Sequence, residues 1–273
     1  MNQDLNQVEF TIFDTETTGL DPARGDRIVE IAAIRFKGAV RISDFQTLVN
    51  PARKISEAAF AINRISDEML KDAPLIHEVM PDFLQFTKGS CLCSYNAGFD
   101  MGFLNNELKI MGREGIKDVV VVDALKMARR MLPGQERYSL AYVADKLGIR
   151  IKQEHRAFSD VEITLEVFRR LKEIMERKGI LDFASFSRLF SIEPYFLDNL
   201  NAQRLSEIQE AIGLGVHLKI KYLSVSGAAV TEREVIPKEI KQENNRSYLV
   251  GYCCLKKEER TFRVDGILHL EVV

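Results

Sequence analysis

A mixed α/β domain followed by a smaller all-β module is the architecture that this sequence predicts. Three observations predict it. Three strand-like stretches come first; short strands then alternate with helical patterns up to Gly179; and from Val216 onward only strands and turns remain.

Val8 to Phe13, β-branched and aromatic, is the first expected strand, followed by Ile28 to Phe36 and by Phe45 to Val49, which Asn50-Pro51 closes. Ser66-Asp67-Glu68 has the character of a helix start, and Leu75 to Phe86 has helical spacing. A short strand over Ser90 to Tyr95 leads into a helix from Phe99 to Ile110. Val119 to Val122 is a continuous apolar run, as expected of a strand buried on both faces. Helices over Ala124 to Met131 and Ser139 to Leu147 follow.

The helix beginning near Ala157 has the clearest period. Phe158, Val161, Leu165, Phe168, Leu171 and Met175 recur at steps of three and four, and Lys178-Gly179 supplies a stop. Residues 179–214 are helical and amphipathic, with no sheet of their own. Beyond them, strands are expected over Val216 to Val225, Arg233 to Pro237, Ser247 to Leu255, Arg260 to Val264 and Ile267 to Val272. Ser226-Gly227, Asn244-Asn245 and Asp265-Gly266 provide the turn chemistry.

With 273 residues, 46% hydrophobic and 29% charged, the chain has the composition of a folded protein of one large or two modest domains. Its net charge of -2 gives it no global basic field. That weighs against a tight nonspecific duplex binder but not against a nuclease, where metal ions supply positive charge locally. Met1 to Val8 lacks the pattern of a signal peptide, and no apolar run approaches the ~18 residues of a membrane span, so a cytoplasmic location is expected. The cysteines fall as Cys91-x-Cys93 and Cys253-Cys254, without CxxC spacing, and read as reduced thiols.

Three segments concentrate chemistry at junctions between elements. In Phe13-Asp14-Thr15-Glu16-Thr17-Thr18-Gly19, residues two apart on a strand point to one face, so Asp14 and Glu16 are aimed together. Paired carboxylates repel, and one takes up a proton unless a cation lies between them; acidic residues also merely cap turns. In Asn96-Ala97-Gly98-Phe99-Asp100 a strand gives way to a helix, where an Asp equally well serves the helix macrodipole. In His155-Arg156-Ala157-Phe158-Ser159-Asp160 a His approaches the long helix and an Asp lies in its early turns. A His alone is commonplace on a surface. The ordered set, DxE then D then H-x4-D, is what carries weight.

FDTETTG, NAGFD and HRAFSD resemble the three exonuclease motifs of the DEDDh, or DnaQ-like, 3′→5′ exonucleases. The likeness extends over about residues 8–175, with VVDALKMARRMLP and the YSL from Tyr138 resembling the intervening segment. The resemblance implies a ribonuclease H-like mixed sheet flanked by helices. It assigns Asp14, Glu16, Asp100 and Asp160 to two divalent metal ions, Mg²⁺ or Mn²⁺, and His155 to the role of general base. These are hard ions that prefer carboxylate oxygens, and a pair of them suits in-line phosphoryl displacement. The products would be nucleoside 5′-monophosphates. Thr17, Thr18 and Leu20 would line the terminal-nucleotide pocket and Phe99 would flank it, unless Phe99 belongs to the core. Tyr95 stands where many members of the family have His.

HLKIKY, REVIP, SYLVGYC and RTFRVDGI, between His217 and Ile267, resemble a WYL domain, which implies a small SH3-like all-β barrel. Ser247 replaces the Trp of that name, and Gly266 a commonly basic residue. By the same analogy Tyr222, Arg233, Tyr248, Arg260 and Arg263 would contact a nucleotide or nucleic-acid ligand; a surface that joins domains is the alternative. The expected organisation is an exonuclease domain over residues 1–178, a helical linker over 179–214 and a WYL-like domain over 215–273. The expected partner is single-stranded DNA or frayed 3′ ends. An exoribonuclease on short RNA and a catalytically silent strand-binding regulator are the alternatives.

Overall fold

The computed structural model describes residues 3–150, 155–192, 194–224, 229–243 and 246–273, with the side chains of 194–203 left aside. The expected turns at Ser226-Gly227 and Asn244-Asn245 lie outside the described residues.

The first sheet has the order β3-β2-β1-β4-β5. Its strands are β1 (Glu9–Thr17), β2 (Ile28–Lys37), β3 (Val40–Leu48), β4 (Cys91–Ser94) and β5 (Val121–Asp123). The three long strands pair antiparallel, whereas β4 joins β1 and β5 joins β4 in parallel. The step from β1 to β4 is therefore a topological switch point, whose carboxyl end is where open α/β sheets place their ligands.

Strand alternation sorts the two faces. Phe10, Ile12, Ala32, Ile34 and Cys93 pack under α5 (Ala124–Met131), α6 (Leu140–Lys146) and α7 (Ala157–Arg177). Phe13, Ile31, Ala33 and Leu92 pack under α3 (Ile76–Thr87) and α4 (Ala97–Ile110). The stripe predicted for α7 is buried from Val161 through Met175, while Phe158 is half-buried with the Arg41 guanidinium over its ring at 5.4 Å.

Three elements of this first domain differ from expectation. β1 continues past Phe13 to Thr17, so Asp14 and Glu16 lie within the strand. β3 begins at Val40, five residues early; it is an edge strand exposed over most of its length and so lacks an apolar alternation. α1 (Glu57–Asn63), capped by the Ser56 hydroxyl, was not foreseen, because it buries only Asn63. Ser66 caps a single further turn, α2 (Asp67–Leu70).

After α7 the chain does not leave the first domain. α8 (Phe183–Phe190) sends Phe186 and Phe190 into the first core, where Phe186 meets Phe10, Phe168 and Phe190 at ring-centroid distances of 5.6, 5.9 and 5.3 Å. Backbone bonds from Leu5 to Leu181 and from Ile192 to Val121 fasten both flanks. α9 (Pro194–Leu214) contributes Ile208 and Ala211 to the other core.

That other core lies in an antiparallel sheet of order β10-β6-β7-β8-β9. Its strands are β6 (Leu218–Leu223), β7 (Val230–Glu243), β8 (Arg246–Cys253), β9 (Glu258–Arg263) and β10 (Ile267–Val272). Leu218, Ile220, Val235, Leu249, Cys253, Phe262 and Ile267 fill it. Asp265-Gly266 forms part of a short 3-10 turn between β9 and β10. A side chain at Gly266 would bring its Cβ within 2.8 Å of the Tyr222 ring and 3.1 Å of the Leu223 carbonyl, so the position is closed to the basic residue seen in similar domains.

Phe186 joins α8 to the sheet, and Phe186→Ala should destabilise the chain by about 3–5 kcal/mol. Urea unfolding measures this; a loss below about 1 kcal/mol would mean that α8 is a dispensable connector.

Candidate active site

The carboxylates converge because of that same alternation. Asp14 and Glu16 point to the face covered by α7, where Asp160 stands in the first turn; carboxylate oxygens of the three lie within 4.8 Å of one another. Thr15, between them, points to the opposite face and meets α4. There Asp100, buried in the first turn of α4, accepts hydrogen bonds from Thr15 N at 2.9 Å, Thr15 Oγ1 at 2.7 Å and Ser94 Oγ at 2.6 Å. Asp100 is thus outside the close trio but next to Asp14, whose proton affinity it raises.

Burial and mutual repulsion dominate the electrostatics. Burial first, then the charges of Asp100, Glu16, Asp160 and Glu30, hold Asp14 well above the ordinary carboxylate range. Burial and the nearby Asp160 push Glu16 up to about 8, against a small opposing pull from the Asn63 side chain. Asp100 rises only to about 6, since its hydrogen bonds from Ser94 and Thr15 offset part of the burial penalty. Four acidic groups in one pocket are unfavourable together unless protons or cations are taken up. Hard oxygen donors at this spacing suit a divalent cation of the Mg²⁺ or Mn²⁺ type.

A fifth carboxylate, Glu30, has a different task. It is fully buried near the start of β2 and accepts from Arg156 Nε at 3.0 Å, Arg156 Nη2 at 2.8 Å, Ala157 N at 3.1 Å and Gln46 Nε2 at 3.1 Å. Glu30 therefore satisfies an amide in the first turn of α7, which Arg156 does not cap with its own side chain. His155, one residue earlier, is exposed and takes a left-handed backbone conformation at φ 51°. The clamp on Arg156 fixes where both His155 and Asp160 begin.

The remaining expected site residues separate. Leu20 is 80% exposed beside the cluster's loop, free to meet a ligand. Phe99 is half-buried against Phe103, with ring centroids 5.0 Å apart. Thr17 is buried, and its hydroxyl donates to Gly19 O at 2.5 Å. Thr18 is wholly buried; its hydroxyl donates to Asp26 and accepts from Arg27 N, so a side-chain contact with a nucleotide, as the resemblance implied, does not fit this geometry. Gly19 follows because any Cβ there would stand 2.3 Å from the Asp26 carboxylate. Tyr95, in place of the family's His, donates to the Tyr138 carbonyl at 2.7 Å.

In the C-terminal sheet, Tyr222 is packed edge-on to Phe262, and its hydroxyl accepts from Arg263 N at 3.3 Å. Arg263 pairs with Asp265, and Arg260 with Glu258 at 2.6 Å. Tyr248 faces Arg263 across the β8–β9 register. Arg233 donates from Nε to Thr231 Oγ1 at 3.1 Å, in register with Ile220 on β6. Local carboxylates therefore already engage two of the arginines.

Sequence reasoning passed over Glu30, Thr15, Ser94 and Asn63. Glu30 did carry a signal: a lone carboxylate inside the apolar run Ile28–Phe36 must be paired when buried. The hydroxyls of Thr15 and Ser94 carry none, being ordinary strand residues until their partner is known.

The raised carboxylates make a pH prediction. A group whose folded pKa lies above its unfolded value stabilises the fold at low pH and loses that contribution as pH rises through the folded pKa. For Glu16 the window runs from its ordinary 4.5 to about 8. In EDTA, the melting temperature should therefore fall between those limits. Mn²⁺ at pH 8 should restore it, and Glu16→Gln should flatten the profile. Scanning calorimetry reads all three, and a melting temperature indifferent to Mn²⁺ would contradict the cation assignment.

Residues 11–168 match the exonuclease family, and residues 203–272 match the WYL domain. A PolC-type DNA polymerase III of Thermotoga maritima is 33% identical over 267 residues, which cover 94% of this chain and 18% of the polymerase. That of Caldanaerobacter subterraneus is 37% identical over 172 residues, covering 63% of this chain and 12% of the polymerase. The chain thus spans less than a fifth of the length of these relatives. Among solved structures, exonuclease I superposes with a TM-score of 0.61 at 17% identity, over 90% of this chain and 55% of that one. The nuclease domain of 3′hExo, a DEDDh family member bound to rAMP, gives 0.56 at 17% identity, over 66% of this chain and 97% of that one. At such identities the likeness establishes the fold. The match over more than half of the chain establishes the family: this protein belongs to the exonucleases, with a WYL domain following its nuclease domain.

Proposed function

We propose that the chain hydrolyses the terminal phosphodiester of a nucleic-acid strand from its 3′ end, releasing nucleoside 5′-monophosphates. The observation that carries the reading is the convergence of Asp14, Glu16 and Asp160, with Asp100 adjoining, at the carboxyl ends of β1 and β4. Asp14, Glu16, Asp100 and Asp160 would hold two divalent cations, Mg²⁺ or Mn²⁺. Bound there, such ions stabilise the attacking and leaving oxygens of an in-line displacement.

The chain's own groups supply the rest. His155, exposed ahead of α7, accepts the proton of the attacking water, a task to which an imidazole nitrogen is chemically suited. Glu30, through Arg156 and the Ala157 amide, holds His155 and Asp160 in register. Thr15 and Ser94 fix both oxygens of Asp100, so that its lone pairs are oriented before any ligand arrives. Exposed Leu20 is suited to press on the terminal base, with half-buried Phe99 flanking it.

The substrate is a single strand or a frayed 3′ end of DNA. Exonuclease I has been solved in complex with a dA16 oligonucleotide, and that structure superposes with a TM-score of 0.59. No described helix is long and apolar enough to cross a membrane, and Cys91, Cys93, Cys253 and Cys254 are all free, which suits a reducing cytoplasm.

The test is cleavage of 3′- and 5′-labelled single strands of DNA and RNA with Mg²⁺, Mn²⁺ or EDTA. Metal-dependent shortening from the 3′ end, one nucleotide at a time, is expected. Asp160→Ala should slow it by roughly 10³-fold or more with the fold retained. His155→Ala should cost on the order of 10²–10⁴-fold. Binding without cleavage in every condition would instead identify a strand-holding regulator. Glu30→Gln should lower kcat by about 10–100-fold with KM little changed; wild-type turnover in that variant would remove Glu30 from the mechanism.

A further inference from the structure

Far from the carboxylates, two arginines are buried together where α8, α9 and the start of β10 meet. Arg188, on α8, and Arg204, on α9, are each only 8% exposed. Both donate to the same two carbonyls: Arg188 Nη1 to Ile267 at 3.3 Å and to Leu268 at 3.4 Å, and Arg204 to Ile267 through Nη1 and to Leu268 through Nη2 at 3.5 Å. Among the described residues no carboxylate hydrogen-bonds or ion-pairs with either guanidinium. The Nε of Arg188 is buried with no hydrogen-bond partner at all.

Two neighbouring buried cations sharing two neutral acceptors are costly, because each is desolvated and each repels the other. Burial and the charge of Arg188 push Arg204 down to about 9, against a partial opposing pull from the charges of Glu207 and Asp182. An anion between them would remove that cost. The space for one exists: both side chains line a cleft of about 470 Å³, with Lys178 and Lys221 on its walls. Of its two acidic wall residues, Glu232 is paired with Lys221 at 3.7 Å, and Asp182 accepts from the Ser185 amide at 2.8 Å. Among the described residues no Phe, Tyr or Trp lines the cleft and His269 is its one ring, so its chemistry is chiefly the forks and ammonium groups that suit a tetrahedral oxyanion.

We propose that this cleft binds a phosphate group, presented either by a nucleoside monophosphate or by the backbone of a strand. Bound there, phosphate would bridge α8 of the nuclease domain to α9, β6 and β10. It would tie the two domains together in response to product or substrate. The site stands apart from the hydrolytic reading and is tested without it.

Isothermal titration in EDTA isolates the site, since the metal-free carboxylate cluster repels anions and no strand is cleaved. Inorganic phosphate, adenosine 5′-monophosphate and a short DNA strand are titrated into the full chain. Saturable binding of inorganic phosphate is expected, weakened about tenfold or more in Arg188→Gln. Lys221→Ala, at an exposed strand position where the fold is not at stake, should weaken it severalfold. If Arg188→Gln loses its circular-dichroism signature, Lys221→Ala decides. Tighter binding of the monophosphate assigns the cleft to product, and tighter binding of the strand assigns it to the backbone. No saturable binding of any probe, or wild-type affinity in a folded Arg188→Gln and in Lys221→Ala, overturns the proposal.

Discussion

Repulsion among buried carboxylates is the constraint around which the nuclease domain is built. Asp14, Glu16, Asp100 and Asp160 come from β1, α4 and α7, elements far apart in sequence, and each is more costly in company than alone. Hydrogen bonds from Thr15 and Ser94 offset only part of that cost, at Asp100. The gathering is held in place by apolar packing beneath it, with Phe10, Ile12 and Phe168 on one face of the sheet and Phe13, Leu92 and Leu104 on the other. A cation bound there would relieve that repulsion, and the relief would contribute to its affinity.

A second layer of polar contacts turns a cluster of charges into an oriented site. Glu30 spends its own buried charge on Arg156 and the start of α7, which places His155 and Asp160 relative to β1. Thr15 contributes from the same strand as Asp14 and Glu16 but from its opposite face, reaching Asp100 on α4. One strand thereby addresses both helical layers, because the period of a strand is two. Glu107, likewise buried, holds Arg27 and the Ile28 amide and so anchors α4 to β2.

What was legible in the sequence follows from what is local. The stripe of α7, the β-branched run of β2 and the DxE spacing on β1 are periodic or adjacent features, and they are readable without a partner. β3 was truncated because an exposed edge strand has no apolar face to announce it. α1 was missed because its stability rests on Ser56 and a neighbouring loop rather than on a buried stripe. Non-local partnerships were invisible by construction. Thr18 has the sequence context of a pocket residue yet turns inward, because Asp26, eight residues on, claims its hydroxyl. Residues 179–214 read only as an amphipathic helical linker, and the position of Phe10 and Phe168 shows which core Phe186 and Phe190 enter.

The central claim is that the four carboxylates exist to hold cations, and crystals soaked in Mn²⁺ test it most directly. Anomalous scattering should place two peaks, on the order of 4 Å apart, among Asp14, Glu16, Asp100 and Asp160. No peak at these residues at saturating Mn²⁺ and pH 8, with the cluster intact, would contradict the account.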